Sequence, residues 1–278
     1  MKMPKPMMSG EDIVSETKLK NSLSRIRHVI IVMSGKGGVG KSTVASNLAM
    51  ALSIKGYQTG LMDIDITGPS IPKMFHIEDS KLYAEEDKLI PVSVPPSLSV
   101  MSMGFLLPER DSAVIWRGPM KASAIRQFIE DVNWGDLDYL IVDMPPGTGD
   151  EALSIVQLMP KADGAVIVTT PQDVALLDGR KSVNFAKQTK LPILGIVENM
   201  SGFVCPHCNE ITEIFGSGGG ERTAENLNIQ FLGRVPLEPG VVRSGDSGMP
   251  VVISEPESKS AAAFNSIVEK LIRTVEKK

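Results

Sequence analysis

The sequence has little cysteine, no long apolar run and no excess of positive charge. Only two of its 278 residues are cysteines, which is too few for a disulfide scaffold and favours a reducing compartment. The N-terminal residues contain no apolar segment of signal-peptide length, and no stretch approaches the roughly 18 apolar residues of a membrane span. The net charge of −4 lacks the basic excess typical of nucleic-acid binding. We therefore expect a soluble, cytoplasmic protein that binds neither nucleic acid nor membrane.

Short β-branched runs alternate with segments of helical spacing along most of the chain. HVIIVMS, QTGLMDID, DYLIVDMPPG, GAVIVTTPQ, PILGIVENM and IQFLGRVP are the predicted strands. This alternation predicts an α/β fold, a single doubly wound, mostly parallel sheet with helices on both faces. We expect residues 1–24 to form a flexible polar leader and residues 25–278 to form one domain. The last predicted helix packs on the sheet, and GSGGG at residues 216–220 is interpreted as a flexible connection.

A glycine-rich segment, GKGGVGKST, lies between the first predicted strand and the first predicted helix. Its spacing fits the phosphate-binding loop G-x-x-x-x-G-K-[ST], in which glycines let backbone N–H groups surround phosphate oxygens. Lys41 supplies charge to the β- and γ-phosphates, and Ser42 supplies a hydroxyl to magnesium. A glycine-rich turn without a ligand is the alternative. The predicted nucleotide-binding residues here are Gly35, Lys36, Gly37, Gly38, Val39, Gly40, Lys41, Ser42 and Thr43.

Aspartates follow two of the predicted strands. Asp63 and Asp65 end one, and Asp143 ends another. Parallel strands present their carboxyl ends at the edge of the sheet where ligands bind, so these carboxylates are candidates for magnesium binding and for orienting a water. Aspartates at strand ends also serve simply as turn formers. Asn199 follows a later strand in the same way.

Cys205 and Cys208 form a C-x-x-C motif after the strand that carries Asn199. Three interpretations of this motif are a redox pair, half of a zinc site, and a pair of cysteines without a function. A 4Fe–4S cluster is another, because it takes four thiolates and two copies of this chain would supply them across a twofold axis. His207 between the cysteines is interpreted as a solvated neighbour.

Taken together, several motifs resemble the Mrp/ApbC family of iron–sulfur cluster carrier ATPases, within the MinD/ParA-like group of P-loop NTPases. The motifs are SGKGGVGKST, DIDITGPSIP, WRGPM, DMPPGTGDEAL, TTPQDVALLDGRK, ENMSGFVCPHC, FGSGGG and LGRVPLEPGVVRSGDSGMP, spread over most of residues 29–252.

The resemblance implies a role for each candidate residue. Lys36 reaches the phosphates of a partner subunit, and Asp65 orients the attacking water. Asp143 holds magnesium through its water shell, Asn199 contacts adenine, and the two cysteines hold the cluster. The resemblance thus implies a homodimeric, magnesium-dependent ATPase that assembles a bridging 4Fe–4S cluster and transfers it to apo-proteins, with cluster scaffold proteins as further partners. Lys36 is catalytic in this interpretation, together with Lys41 and Asp65.

Two other hypotheses stay open. A ParA/MinD-type positioning ATPase would act on DNA or membrane, and its cysteines would bind zinc or nothing. An electron donor similar to the nitrogenase iron protein would use the cluster for redox work, although the cluster cysteines of that protein are widely separated in sequence.

Overall fold

The computed structural model describes residues 19, 22–86, 88–106 and 118–277. Its strands are β1 (Ile26–Met33), β2 (Thr59–Asp63), β3 (Tyr83–Glu85), β4 (Lys88–Ile90), β5 (Val92–Val94), β6 (Leu98–Ser102), β7 (Leu137–Asp143), β8 (Gly164–Thr169), β9 (Ile193–Val204), β10 (Ile211–Thr212) and β11 (Phe231–Leu237). The helices are α1 (Lys41–Ile54), α2 (Ile71–Met74), α3 (Gly118–Asp131), α4 (Asp150–Leu158), α5 (Asp173–Gln188), α6 (Gly219–Leu227), α7 (Pro239–Ser247), α8 (Val251–Ser254) and α9 (Lys259–Val275), with a 3₁₀ helix at Met103–Leu106.

The main sheet has the strand order β11-β9-β8-β1-β7-β2-β6-β5. All neighbouring pairs in this series are parallel except β5 and β6, and the short β10 pairs antiparallel with the end of β9. The strands β3 and β4 form a separate hairpin. The predicted mostly parallel α/β sheet is confirmed. Its topology places the carboxyl ends of β1, β2, β7 and β9 at one edge, where ligands bind in such sheets.

Buried apolar side chains cover both faces of the sheet because successive residues of a strand point to opposite sides. In β1, Ile31 and Met33 face the core formed with α3, α4 and α5, whereas Ile30 and Val32 face the core formed with α1 and α9. Helix α9 buries an apolar stripe that includes Phe264. The prediction that the last helix packs on the sheet is confirmed. These two cores hold the strand ends that carry the candidate residues.

The predicted leader lies largely outside the described residues, as do Trp116 and Arg117 of the WRGPM motif. Leu19 is buried in the core, and the Ser22 hydroxyl donates to the carbonyls of Ile129 and Val132 at 3.0 Å. These two residues of the segment therefore pack on the domain. In the part of the chain that the structure describes, no helix is both long and apolar enough to cross a membrane.

Candidate nucleotide and cysteine sites

The predicted phosphate loop connects the end of β1 to the start of α1. Gly38 and Gly40 adopt left-handed backbone conformations with φ of 79°, which glycine adopts at little cost. A Cβ atom added to Gly40 would lie 2.1 Å from Nδ2 of Asn199, so the loop and the middle of β9 are in direct contact. The Asn199 amide donates to the Val39 carbonyl at 2.9 Å. The structure thus brings Asn199 to the loop, and its predicted contact with adenine stays a prediction.

The first side chain of α1 forms a buried ion pair with the end of β7. Lys41 Nζ lies 2.6 Å from Oδ1 of Asp143 and 3.3 Å from the Ser42 hydroxyl. Lys41 is 7% exposed and Asp143 is fully buried. Burial raises the pKa of Asp143, while the Lys41 ammonium and the Ser42 hydroxyl oppose that rise. The pair fixes the Lys41 ammonium beside the Ser42 hydroxyl at the start of α1, and its predicted contact with phosphate stays a prediction.

The second oxygen of Asp143, Oδ2, is buried without a hydrogen-bond partner among the described residues. An unpaired buried carboxylate oxygen is costly unless a cation or donor reaches it. Magnesium prefers oxygen ligands and usually keeps several waters. Asp143, directly or through a water, and the neighbouring Ser42 hydroxyl therefore fit the predicted magnesium site.

The aspartates that end β2 lie beside this ion pair. Asp63 is the register partner of Asp143 and is fully buried. Burial, together with the nearby Asp143 charge, raises the pKa of Asp63 to about 7. The carboxylate of Asp63 accepts from the Ser102 hydroxyl at 2.8 Å and from the Asp65 backbone N–H at 3.1 Å. Asp63 is therefore a support for the loop that carries Asp65.

The Asp65 carboxylate is held by a local turn. Its Oδ1 accepts from the backbone N–H and hydroxyl of Thr67, at 3.1 and 2.8 Å, and from the Gly68 N–H at 3.1 Å. These donors fix the orientation of one carboxylate oxygen at the rim of the loop.

A cavity of about 230 Å³ opens above the phosphate loop. Its lining includes Lys36, Lys41, Ser42, Thr43 and Asp65. The structure therefore brings the predicted catalytic residues to one cavity within a single chain. Asp143 and Asn199 lie behind this lining, in contact with the loop.

The cysteine pair lies at the end of β9, in a tight turn before β10. Cys205 is half-buried, Cys208 is exposed, and neither is in a disulfide. Two backbone hydrogen bonds of 2.9 Å close the turn: the Cys205 N–H donates to the Glu210 carbonyl, and the Asn209 N–H donates to the Cys205 carbonyl. The backbone N–H groups of His207 and Cys208 lower the pKa of the Cys205 thiol, which favours the thiolate that binds metals.

No cluster of three or more His, Cys, Asp or Glu side chains that could hold a metal ion occurs among the described residues. His207 therefore does not complete a metal site with the two thiols within the chain as described.

The phosphate loop, the aspartate on the adjacent strand and the parallel sheet are together the features of the P-loop NTPase class of proteins. A family model described as ParA, NUBPL iron-transfer P-loop NTPase, matches residues 25–272. The chain belongs to this family of NUBPL-type iron-transfer P-loop NTPases.

The names of similar proteins are consistent with this family. The chain is 49% identical over 263 residues to an iron-sulfur cluster carrier protein of Methanocaldococcus jannaschii, covering 95% of this chain and 90% of the relative. It is 53% identical over 237 residues to the cytosolic Fe-S cluster assembly factor CFD1 of Kluyveromyces lactis, covering 82% and 84% of the two proteins. The family resemblance predicted from the motifs is confirmed, and these names agree with the predicted class of function.

Solved structures agree with the fold. A nucleotide-binding protein of Archaeoglobus fulgidus in complex with ADP has a TM-score of 0.77 at 40% identity, covering 90% of this chain and 96% of that one. The cell division ATPase MinD of Pyrococcus furiosus has a TM-score of 0.63 at 23% identity, covering 89% and 99%, which is a likeness of fold alone. The predicted MinD-like P-loop fold is confirmed, and the roles of individual site residues stay predictions.

Proposed function

We propose that this chain is a magnesium-dependent ATPase that, as a homodimer, carries an iron–sulfur cluster on Cys205 and Cys208 and transfers it to apo-proteins. One observation carries the proposal: this chain combines a phosphate loop with two free thiols at the end of β9. The names of the relatives support the cluster as cargo. The cytosolic assembly factor among them supports a place in the cytoplasm.

The cavity above the loop supports ATP hydrolysis. Lys41 would contact the β- and γ-phosphates, and Asp65, oriented by its turn, would align the attacking water. Phosphoryl transfer depends mainly on such positioning and on electrostatic stabilisation. Magnesium held by Ser42 and Asp143 would neutralise phosphate charge. In this proposal Asn199 contacts the adenine, and the ADP-bound structure from Archaeoglobus fulgidus supports a nucleotide as ligand.

The number of thiols supports a dimer. A 4Fe–4S cluster takes four thiolates, and each chain supplies two. Two chains related by a twofold axis would bring both pairs to one cluster. Lys36 at the mouth of the cavity would then reach the partner's phosphates, as an arginine finger does in trans. Transfer requires that ligands exchange, and the exposed Cys208 is accessible to an acceptor protein or a scaffold protein.

The test is to measure iron and acid-labile sulfide per chain after anaerobic reconstitution. We expect about two irons and two sulfides per chain, as for one four-iron cluster shared by two chains. The variant Cys205→Ser/Cys208→Ser should bind none, while ADP binding verifies that it is folded. Sedimentation of the reconstituted wild type should show a dimer.

Other results would overturn the proposal. Equal iron in the double variant would place the iron elsewhere. Zinc without iron after reconstitution would make the pair a zinc site, and salt-sensitive binding of the ATP state to DNA or liposomes would then favour the positioning ATPase.

A further inference from the structure

Glu198 precedes Asn199 near the middle of β9, beside the phosphate loop, and its side chain is fully buried. Its Oε1 accepts from the Gly218 N–H at 2.8 Å and from the Ser201 hydroxyl at 2.5 Å. Its Oε2 accepts from the Gly220 N–H at 2.5 Å. One carboxylate therefore joins β9 to the glycine segment that begins α6.

A positive charge accompanies this carboxylate. Arg234 on β11 places its Nε 3.7 Å from Oε1 of Glu198, and its guanidinium also pairs with Glu221 on α6. A buried carboxylate is tolerated only when donors and charge replace its water shell. We call Glu198, Ser201, Gly218, Gly220 and Arg234 the Glu198 junction; it links β9, β11 and α6.

The part of β9 between Asn199 and the cysteines is bent. Met200 and Gly202 adopt left-handed conformations, with φ of 57° and 76°, and the register with β11 shifts between Val235 and Leu237. A left-handed residue other than glycine costs free energy and persists only where its surroundings impose it. Ser201 lies between the two left-handed residues and is held by Glu198. The junction therefore holds this bend.

The bend has a functional residue on each side. Asn199, before it, donates to the Val39 carbonyl of the phosphate loop. Cys205, after it, begins the cysteine turn. A shift of Asn199 when a nucleotide binds would move the backbone next to Glu198, and the fixed junction would convert that movement into a change of the bend.

We propose that Glu198 is a positioning residue that couples occupancy of the nucleotide site to the exposure of Cys205 and Cys208. This inference rests on the proposed nucleotide and cysteine sites but not on the presence of iron. A purely structural role for Glu198, as a cap of α6, would affect folding stability without affecting how the thiols respond to nucleotide.

The test uses the two thiols as reporters, because the chain has no other cysteine. The rate constant for iodoacetamide alkylation of the iron-free protein is measured with and without saturating Mg·ADP. Two protein concentrations, tenfold apart, distinguish a change within the chain from one caused by association. The variants are Glu198→Gln, the milder Ser201→Ala, and Glu221→Gln as matched control, since Glu221 also pairs with Arg234 but, among the described residues, its side chain has no hydrogen bond to Met200, Ser201 or Gly202.

In the wild type and in Glu221→Gln, we expect ADP to change the rate constant by at least about fivefold, the lower end of typical coupling between two sites, at both concentrations. Glu198→Gln should reduce this change to less than about twofold while still binding ADP, and Ser201→Ala should reduce it in part. An unchanged response in Glu198→Gln, or in Ser201→Ala should the first variant not fold, would overturn the proposal. So would a wild-type response that is absent or depends on protein concentration. If the protein bound no iron in the reconstitution experiment, the effect of ADP on the alkylation rate constant would still be expected. The two experiments therefore test the two proposals independently.

Discussion

At the phosphate loop the Lys41 ammonium is buried against the Asp143 carboxylate, whereas at the cysteine turn one thiol is exposed and the other is half-buried. Lys41 and Asp143 are joined across two elements of the core. The turn that carries Cys205 and Cys208 is closed by bonds within itself, and Cys208 is exposed. The difference fits the two proposed roles, because a nucleotide site needs groups fixed in advance and a site that carries a cluster needs ligands that can be exchanged.

The largest effect should come from removing the buried cation of the loop. Lys41→Ala leaves Asp143 buried and unpaired, so the free energy of unfolding should fall by about 3 kcal/mol or more at pH 8. Urea denaturation without nucleotide measures this, and Lys36→Ala at the rim is the matched control, with an expected change below about 0.5 kcal/mol. Equal stability of the two variants would show that the ion pair does not hold the loop.

The second effect concerns pH and Asp63. Its folded-state pKa of about 7 lies above the ordinary value of 3.8, so the folded protein retains a proton that the unfolded chain releases. Stability from this proton is complete below about pH 4 and is lost as the pH rises through 7. The loss amounts to a few kcal/mol, since one pKa unit corresponds to about 1.4 kcal/mol. Unfolding free energies measured from pH 4 to 8 in EDTA should decline more steeply for wild type than for Asp63→Asn, and parallel curves would contradict this.

A smaller effect should follow from filling the space beside the first glycine of the loop. A Cβ atom on Gly35 would lie 2.1 Å from the Asp178 carbonyl oxygen, whereas one on Gly37 would meet no atom within 4 Å. Gly35→Ala should therefore lower the unfolding free energy by about 1–3 kcal/mol, as overpacking does. Gly37→Ala is the control and should change it by less than about 0.5 kcal/mol. Comparable losses in both would mean that the loop, and not its packing on α5, sets the cost.

The smallest effect on stability belongs to the cysteine turn. Cys208→Ser replaces an exposed thiol, so the unfolding free energy of the iron-free protein should change by less than about 0.5 kcal/mol. The same variant should lose its reconstituted iron. A large loss of stability in the iron-free state would show that the turn contributes to the fold, and the contrast between the two sites would then fail.

The phosphate site could be predicted because its determinants are local. The spacing of Gly40, Lys41 and Ser42 defines the loop, and the rule that parallel strands end at one edge places Asp65 and Asp143 beside it. Both inferences need only neighbouring residues and the order of strands.

The Glu198 junction could not be predicted, because Glu198 and its glycine partners are 20 and 22 positions apart and lie on different elements. From the sequence alone, GSGGG at residues 216–220 is interpreted as a flexible connection. In the structure that interpretation is wrong, since Gly218 and Gly220 donate to the carboxylate and a Cβ on Gly219 would lie 2.6 Å from Leu176 and the Pro171 carbonyl. These glycines are required for close packing. The hydrogen bond from the Asn199 amide to the Val39 carbonyl could not be predicted either, because it depends on how β9 passes the phosphate loop.

The position of the cysteine turn at the end of β9 has a consequence for how such proteins diversify. The turn follows Phe203 and Val204, the last two residues of β9 and the register partners of β10. Its two closing hydrogen bonds are internal, and Lys259 of α9 donates to the Asn209 carbonyl at 3.3 Å. We expect that such a turn can be lengthened, shortened or given other metal-binding side chains while the main sheet keeps its strand order. A change of side chains in this turn would leave the strands that hold the phosphate loop unaltered.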